Sequence, residues 1–294
     1  MTENGKGSIL ITGASSGIGR AAALAFDRAG YRVFAGVRRE TDGQALRQIA
    51  SARLHPLMLD VHVTEHIVAA KALLDREGSL FALINNAGHN YVAPFEATDR
   101  GKARALMETN LFGLAALTQT MIPLLRANAS RKRATHIVNV SSIGGLIGIP
   151  WEPWYHTSKF AVIGLSESLR HELRRQHIVV SVVCPGGIKT PFIAKSGAEA
   201  DSATHALEDE HRALYGPGMR RLSSLTRAVA RAGSDPDSVA RVIKRVLTTN
   251  RPRFLNVVGG DAATMLSLKR WLPAHVFHAL IRGVFTDGAG SRGK

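Results

Sequence analysis

Cysteine occurs once in the 294 residues, at Cys184. No disulfide can form within the chain, and this usage fits a reducing compartment. Long apolar runs are missing as well. No stretch reaches the ~20 apolar residues that a membrane-crossing helix needs. The N-terminal MTENGKGSILITGASSG has no extended apolar core of the kind a secretory leader carries. A soluble, cytoplasmic protein is expected. Repeats, low-complexity tracts and an internal linker are also lacking, so residues 1–294 read as a single domain. Twelve histidines are present, but none form a metal-ligand pattern, and no metal is expected.

Acidic residues are few. There are 23 against 38 Lys and Arg, a formal net charge of +15. Such an excess favours nucleic acid, phosphorylated ligands or anionic membranes. The cations are dispersed, however, along helical segments such as Arg170, Arg174 and Arg175, or Arg241, Lys244 and Arg245. The densest group, SRKRATH at 130–136, lies between a helical and a strand-like segment. A solvated surface accounts for most of them. No nucleic-acid-binding module is visible, and no nucleic acid is expected as a partner.

What is present is alternation. SILITG, YRVFAGV, PLMLDV, LFALINNAG, RATHIVNVSS, HIVVSVVCPGG and RFLNVVGG are seven apolar, strand-like runs. Helix-length segments lie between them, among them 64–77, 101–127 and 155–175. Continuous apolar strands separated by helices predict a doubly wound, Rossmann-type α/β fold. The sheet should be mostly parallel and seven-stranded, with helices on both faces. Ligands in such folds bind beyond the carboxyl ends of the strands. An insertion at about 190–233, after the sixth strand, is therefore placed to cover a substrate. A helical extension at about 261–285 follows the last strand. It is rich in Leu, Phe and Trp, carries Lys269, Arg270 and Arg282, and should break at Pro273. It could pack over the substrate mouth, join subunits or make a peripheral contact with an anionic membrane. All three readings stay open.

TGASSGIG (12–19) places Gly13, Gly17 and Gly19 between the first strand and the first helix. Glycines let the backbone approach a ligand closely, and a helix N-terminus offers free N–H groups to phosphate. The spacing differs from the common G-x-G-x-x-G fingerprint. Strand two then ends in VRRE. An acid at this point would hold the ribose 2′-OH of NAD, whereas an arginine accommodates the 2′-phosphate of NADP. Arg38 and Arg39 stand there, so NADP is expected over NAD, with a solvated arginine pair as the plain alternative.

The segment PWYHTSK sets Tyr155 and Lys159 four residues apart, behind Pro153. Proline suits the first turn of a helix, and residues four apart share a face. An ammonium near a phenol favours the phenolate and lowers its pKa from about 10.

In the order TGASSGIG, LDV, NNAG, SS and Y-x-x-x-K, these motifs resemble the short-chain dehydrogenase/reductase family over about residues 7–260. The stretch VNVSSIGGLIGIP…YHTSKFAVIGLSESLRHEL is similar to its 17β-hydroxysteroid and retinol dehydrogenase branch. The resemblance implies a cofactor site at Gly13, Ser15, Ser16, Gly17, Ile18 and Gly19, with Asp60 and Val61 at the adenine. Asn86, Ala87 and Gly88 would lie beside the ribose. Pro185, Gly186, Ile188 and Thr190 would grip the nicotinamide. It implies Asn110, Ser142, Tyr155 and Lys159 as the catalytic set, with Asn110 holding a water that links Lys159 to solvent. Ser141 would point to the opposite face if its strand continues. The implied activity is NADP(H)-dependent hydride transfer with a lipophilic secondary alcohol or ketone, steroid- or retinoid-like, in a homodimer or homotetramer. A 3-oxoacyl reductase, or a non-catalytic NADP sensor on the same fold, are the alternatives. Gly144, Leu146, Ile149, Pro150, Trp151, Trp154, Phe192 and Ile193 are the expected apolar lining. His156 is expected on a loop or helix surface, and Cys184 as an inert buried thiol.

Overall fold

The computed structural model describes residues 6–78 and 80–286. Seven strands, β1 (Ser8–Ile11), β2 (Arg32–Val37), β3 (Leu54–Met58), β4 (Ala82–Asn85), β5 (Thr135–Val140), β6 (Ile178–Pro185) and β7 (Leu255–Val258), form one sheet in the order β3-β2-β1-β4-β5-β6-β7. Every pairing is parallel. Successive residues of a strand face opposite sides. Ile9 and Ile11 therefore enter one apolar core, and Leu10 enters the other. Ala82 and Ile84 against Leu83 divide in the same way. Both faces are covered, which is why the central strands read as unbroken apolar runs.

The first core holds α1 (Gly17–Arg28) and α9 (Pro236–Thr248) against the sheet through Phe26, Val239 and Ile243. Leu46 of the short α2 (Glu40–Arg47) joins it. The second is built from α3 (Thr64–Glu77) and α5 (Leu114–Asn128) through Leu74, Leu117 and Met121, with α6 (Pro153–Glu172) adding Leu169. The chain runs outward from β1 to β3 and then returns to β4 on the other side. A crevice is left above the carboxyl ends of β1 and β4, where such a sheet binds ligands.

Two elements differ from the sequence expectation. The third strand starts earlier than PLMLDV, at Leu54, and ends at Met58. It is an edge strand, where Pro56 needs no partner for a missing N–H. Leu59, Asp60 and Val61 leave the sheet and join the crevice wall. The segment expected as one helix over 101–127 is α4 (Arg100–Met107), a π turn at Glu108–Gly113, and α5. A π turn inserts one residue into a helix and often marks a functional position; here it contains Asn110.

The 190–233 insertion forms α7 (Pro191–Ala206) and α8 (Asp209–Ala232). The C-terminal extension forms α10 (Gly260–Trp271) and α11 (Ala274–Phe285), divided at Pro273. Phe277, Ile281 and Phe285 of α11 are buried with Ala200, Met219 and Leu222 of α7 and α8 in a third core. At about 1.5–3 kcal/mol per side chain, these three contribute roughly 5–9 kcal/mol gross. The extension therefore packs on α7 and α8. Trp271 (78% exposed) and Leu280 (47%) face outward.

Close packing of the glycine turn yields the first prediction. A Cβ on Gly19 would lie 2.2 Å from the Gly13 carbonyl oxygen and 2.5 Å from Asn86 Nδ2. Gly19→Ala should cost about 1–3 kcal/mol by overpacking and weaken dinucleotide binding. At Gly164, within α6, an added Cβ meets nothing within 4 Å. Gly164→Ala should instead stabilise by about 0.5–1 kcal/mol. Denaturant midpoints of the two variants provide the comparison.

Candidate active site

The crevice opens on the turn between β1 and α1. Gly13 and Gly17 take positive φ, +64° and +53°. Ser16 caps α1 without any side-chain hydrogen bond, so the first-turn N–H groups are free of side-chain acceptors. Gly13, Ser15, Ser16, Gly17 and Ile18 all line the cavity. Gly19 does not; it packs behind the turn, against the Gly13 carbonyl. The turn is held from β4. Thr12 Oγ1 accepts from the backbone N–H of Asn86 and of Ala87, each at 2.9 Å. Asn86 Nδ2 donates to the carbonyls of Thr12 and Gly13. Asn86 thus locks one loop to another, and Thr12, absent from the sequence expectation, shares that task.

The two arginines after β2 separate. Arg38 lines the cavity. Arg39 is exposed and makes a two-armed contact with Asp42, both arms at 2.9 Å. It lies outside the cavity wall. The next acid, Glu40, pairs with Arg47 at 3.7 Å. Asp60 and Val61 line the cavity opposite, with Ala87 and Gly88 beside them. The Asp60 carboxylate also accepts from His62 N–H at 3.1 Å. Pro185, Gly186, Ile188 and Thr190 form the far wall. An open helix N-terminus, a glycine turn and a single cavity arginine fit a dinucleotide phosphate chain and an adenosine.

Tyr155, Lys159 and Ser142 meet at the end of β5. Pro153 opens α6, so Tyr155 and Lys159 lie one turn apart on one face. Lys159 Nζ sits 5.7 Å from the centroid of the Tyr155 ring and donates to the Val140 carbonyl at 3.2 Å. The strand stops at Val140, and the two serines then diverge. Ser142 accepts from Gly144 N–H at 3.0 Å and lines the cavity together with Tyr155. Ser141 donates to the Lys159 carbonyl at 2.9 Å and so braces α6.

Burial dominates the electrostatics. Lys159 is 6% exposed, and loss of hydration pulls its ammonium down to about 8. Tyr155 is pushed well above the usual phenol value, first by burial. Ser142 pulls the other way, and the Glu152 carboxylate adds to the upward push. The expectation of a phenol lowered by its lysine left burial out, and burial acts in the opposite direction. The site that brings the pair together also strips water from both, and the lysine's own charge is weakened. Cys184 is buried and raised to about 12, chiefly by burial, so it stays a thiol.

Asn110 is buried and does not line the cavity. Its Nδ2 donates to the His89 carbonyl and to Ser158 Oγ, both at 3.0 Å, and its Oδ1 accepts from His89 N–H. Both amide hydrogens are used on protein partners, and its observed role is to fix His89. His89 itself lines the cavity and is held neutral by burial, then by Arg38. The expectation missed it, although its place directly after NNAG was the available signal.

His156 is buried rather than on the surface. Its Nδ1 donates to the Gly144 carbonyl at 2.8 Å, and Nε2 accepts from Ile149 N–H at 3.3 Å. Burial keeps it neutral, and it pins the 143–149 loop. Of the expected apolar lining, Phe192 and Ile193 reach the cavity. Leu146 and Pro150 lie outside its wall, and Gly144 receives the His156 bond instead. Ile149 and Trp151 pack into the third core, and Trp154 stacks on Phe95 at 6.1 Å.

Comparison with known proteins agrees with this geometry. A family model described as short chain dehydrogenase matches residues 8–201. The chain is 31% identical over 278 residues to a 3-ketodihydrosphingosine reductase of Bacteroides thetaiotaomicron, covering 93% of this chain and 96% of that protein. It is 33% identical over 257 residues to human retinol dehydrogenase 8, covering 83% and 79%. A short-chain dehydrogenase from Streptomyces avermitilis superposes with a TM-score of 0.75 at 29% identity, covering 97% of this chain and all of that one. With the motif order, the sheet topology and these likenesses in agreement, the chain belongs to the short-chain dehydrogenase family, as an oxidoreductase of alcohol and carbonyl groups related to the retinol dehydrogenases.

Proposed function

We infer that the protein reduces a ketone on a long or polycyclic apolar molecule, with NADPH as hydride source. The observation that carries this reading is the convergence of Ser142, Tyr155 and Lys159 on one wall of a cavity whose other wall holds the glycine turn and Arg38. When bound, the nicotinamide supplies the hydride. The chain's own residues do the rest. Ser142 orients the carbonyl oxygen and stabilises the charge growing on it. Tyr155, kept as a phenol by burial, gives its proton to that oxygen. Lys159, poised near 8, can pass a proton back toward the tyrosine and hydrogen-bond the nicotinamide ribose.

Preference for NADP is supported by Arg38 in the cavity and by the engagement of Glu40 and Asp42 with other arginines. No acid follows β2 directly, and an acid is what a free ribose 2′-OH would call for. Substrate class is supported by Phe192 and Ile193 at the reactive end. It is also supported by the named relatives, a 3-ketodihydrosphingosine reductase and a retinol dehydrogenase, each named for a molecule with a lipophilic body. Exposed Phe112 (54%) and Phe160 (43%) support association of like chains, as a homodimer or homotetramer. No helix among the described residues is long and apolar enough to cross a membrane. Exposed Trp271, with Arg270 stacked on it at 5.6 Å, supports a peripheral contact with anionic lipid.

Tyr155→Phe should abolish ketone reduction while retaining NADPH affinity within about threefold. Lys159→Ala should lower both turnover and affinity. Stopped assays at the nicotinamide absorbance, over a panel of retinoid, steroid and long-chain ketones, measure the first quantity; cofactor fluorescence titration measures the second. Near-normal turnover by the Phe variant would exclude Tyr155 as proton donor.

Arg38→Asp removes a phosphate partner and adds repulsion. It should weaken NADPH binding by roughly tenfold to a hundredfold, about 1.5–3 kcal/mol, and leave NADH binding less affected. Equal affinity of the unaltered protein for the two cofactors defeats the premise. For the lipid contact, co-sedimentation with anionic but not neutral vesicles is expected, with loss on Trp271→Ala combined with Arg270→Ala. Binding that ignores vesicle charge counts against it.

A further inference from the structure

Residues 185–190 of the far cavity wall divide by the side they present. Pro185, Gly186, Ile188 and Thr190 line the cavity, whereas Gly187 and Lys189 between them do not. The backbone of the row is held from other elements. Gly186 N–H donates to the Val258 carbonyl of β7 at 2.8 Å. The Gly187 carbonyl accepts from Ser234 N–H, and Lys189 N–H donates to the Ser234 carbonyl, both at 2.9 Å. Gly187 N–H alone among these donors goes to a side chain. Its acceptor is Asp261 Oδ2, at 2.6 Å, in the first turn of α10 and 74 positions along the chain.

The surroundings leave room for this carboxylate and for nothing larger than hydrogen beside it. A Cβ on Gly186 would lie 2.5 Å from Asp261 Oδ2 and 2.6 Å from Oδ1. One on Gly187 would lie 3.2 Å from Oδ2, and one on Gly259 2.4 Å from Oδ1. Three glycines from two segments thus close around one side chain. Among the described residues Asp261 forms no ion pair. Its hydrogen-bond donor is the Gly187 amide. An ionised acceptor makes the stronger kind of hydrogen bond.

We propose that Asp261 is a positioning residue for the nicotinamide end of the cofactor: it fixes the Gly186–Gly187 peptide from behind and so sets where Ile188 and Thr190 stand in the cavity wall. The inference rests on the reading that the 185–190 wall grips the nicotinamide. The reason is geometric. A peptide unit is planar, so holding Gly187 N–H also holds the Gly186 carbonyl across the bond. Neither glycine has a side chain to keep that plane, and glycine backbone is the most permissive of all. Ile188 N–H, the next amide, has no acceptor among the described residues, and its direction follows from the peptide before it. Without Asp261 the two glycines can turn, and the wall loses its shape at the reactive end. Rate is sensitive to misplacement on the ångström scale at such a point.

Asp261→Ala and Asp261→Asn in the full chain test this. Both remove the charge at the start of α10, but asparagine keeps an oxygen for Gly187 N–H. Two ligands are titrated: NADPH, and adenosine 2′,5′-bisphosphate, which has the adenosine end of the cofactor and no nicotinamide. Asp261→Ala should weaken NADPH about threefold to tenfold and lower kcat, with the bisphosphate bound as before. Asp261→Asn should keep both quantities within about twofold of the unaltered protein. A merely structural role would weaken the two ligands together, and a role of the charge alone would make the alanine and asparagine variants alike. Either result overturns the inference. Thr190→Val checks the underlying reading, because Thr190 lies in the cavity wall. If Thr190→Val weakens NADPH while Asp261→Ala leaves it unchanged, the inference alone falls. If Thr190→Val binds NADPH and turns over as the unaltered protein does, the 185–190 wall is not the nicotinamide grip, and the inference falls with that reading.

Discussion

Removal of water from Tyr155 and Lys159 is the constraint on which the rest of the site depends. Each side chain bears a titratable proton, and each loses much of its hydration at the end of β5. Burial of a charge is costly unless it is paired. The site answers by keeping both groups near neutrality. The phenol is raised and the ammonium lowered, so their proton affinities, ordinarily alike, move apart. The phenolate is then the stronger base, so return of a proton to it from the lysine ammonium is downhill.

Holding the pair in place takes residues beyond the reacting groups themselves. Ser141 ties α6 to the strand end through the Lys159 carbonyl. His156 reaches from the same helix to the loop after Ser142, gripping it at Gly144 and Ile149. Asn110, set in the π turn, fixes His89 and reaches Ser158 on α6. A buried polar chain runs on from there: Asn85 bonds Thr118 and Asn139, and Asn139 bonds Ser166. These bonds tie β4, α5, β5 and α6 together, although Asn85 Oδ1 finds no partner.

Much of this was legible in the sequence, and the failures share a cause. Strands, topology and the glycine turn are encoded by local signals: apolar runs, Gly13 and Gly17 at positive φ, and Pro153 at a helix start. Tyr155, Ser142 and Arg38 were found because their types and spacing carry chemistry. What escaped depends on which way a side chain turns. Arg38 and Arg39 are identical in composition, yet only one faces the cavity, because Asp42 captures the other. His156 looked like surface because nothing local shows that the loop of twelve residues between β5 and α6 folds back over it. The upward push on the Tyr155 phenol was not legible because burial is a tertiary quantity.

The C-terminal extension illustrates the same point at larger scale. Read from composition, α10 and α11 are an apolar appendage. In the fold, α10 reaches both loops beside the reactive centre. Gly187 N–H donates to Asp261 Oδ2 at 2.6 Å, fixing the segment that runs on to Ile188 and Thr190. Lys269 donates to the Leu146 carbonyl in the loop after Ser142 and lies 5.7 Å from the Phe160 ring. Meanwhile α11 buries Phe277 and Ile281 against the cover. One helical pair thus ties the far wall of the cavity, the serine loop and the substrate cover to a common support. Likeness to the reductase from Bacteroides thetaiotaomicron extends over 93% of the chain, well past residue 201 where the family model stops. The contacts of Asp261 and Lys269 give that extent a physical reason, since a site built on three movable loops needs the element that binds them together.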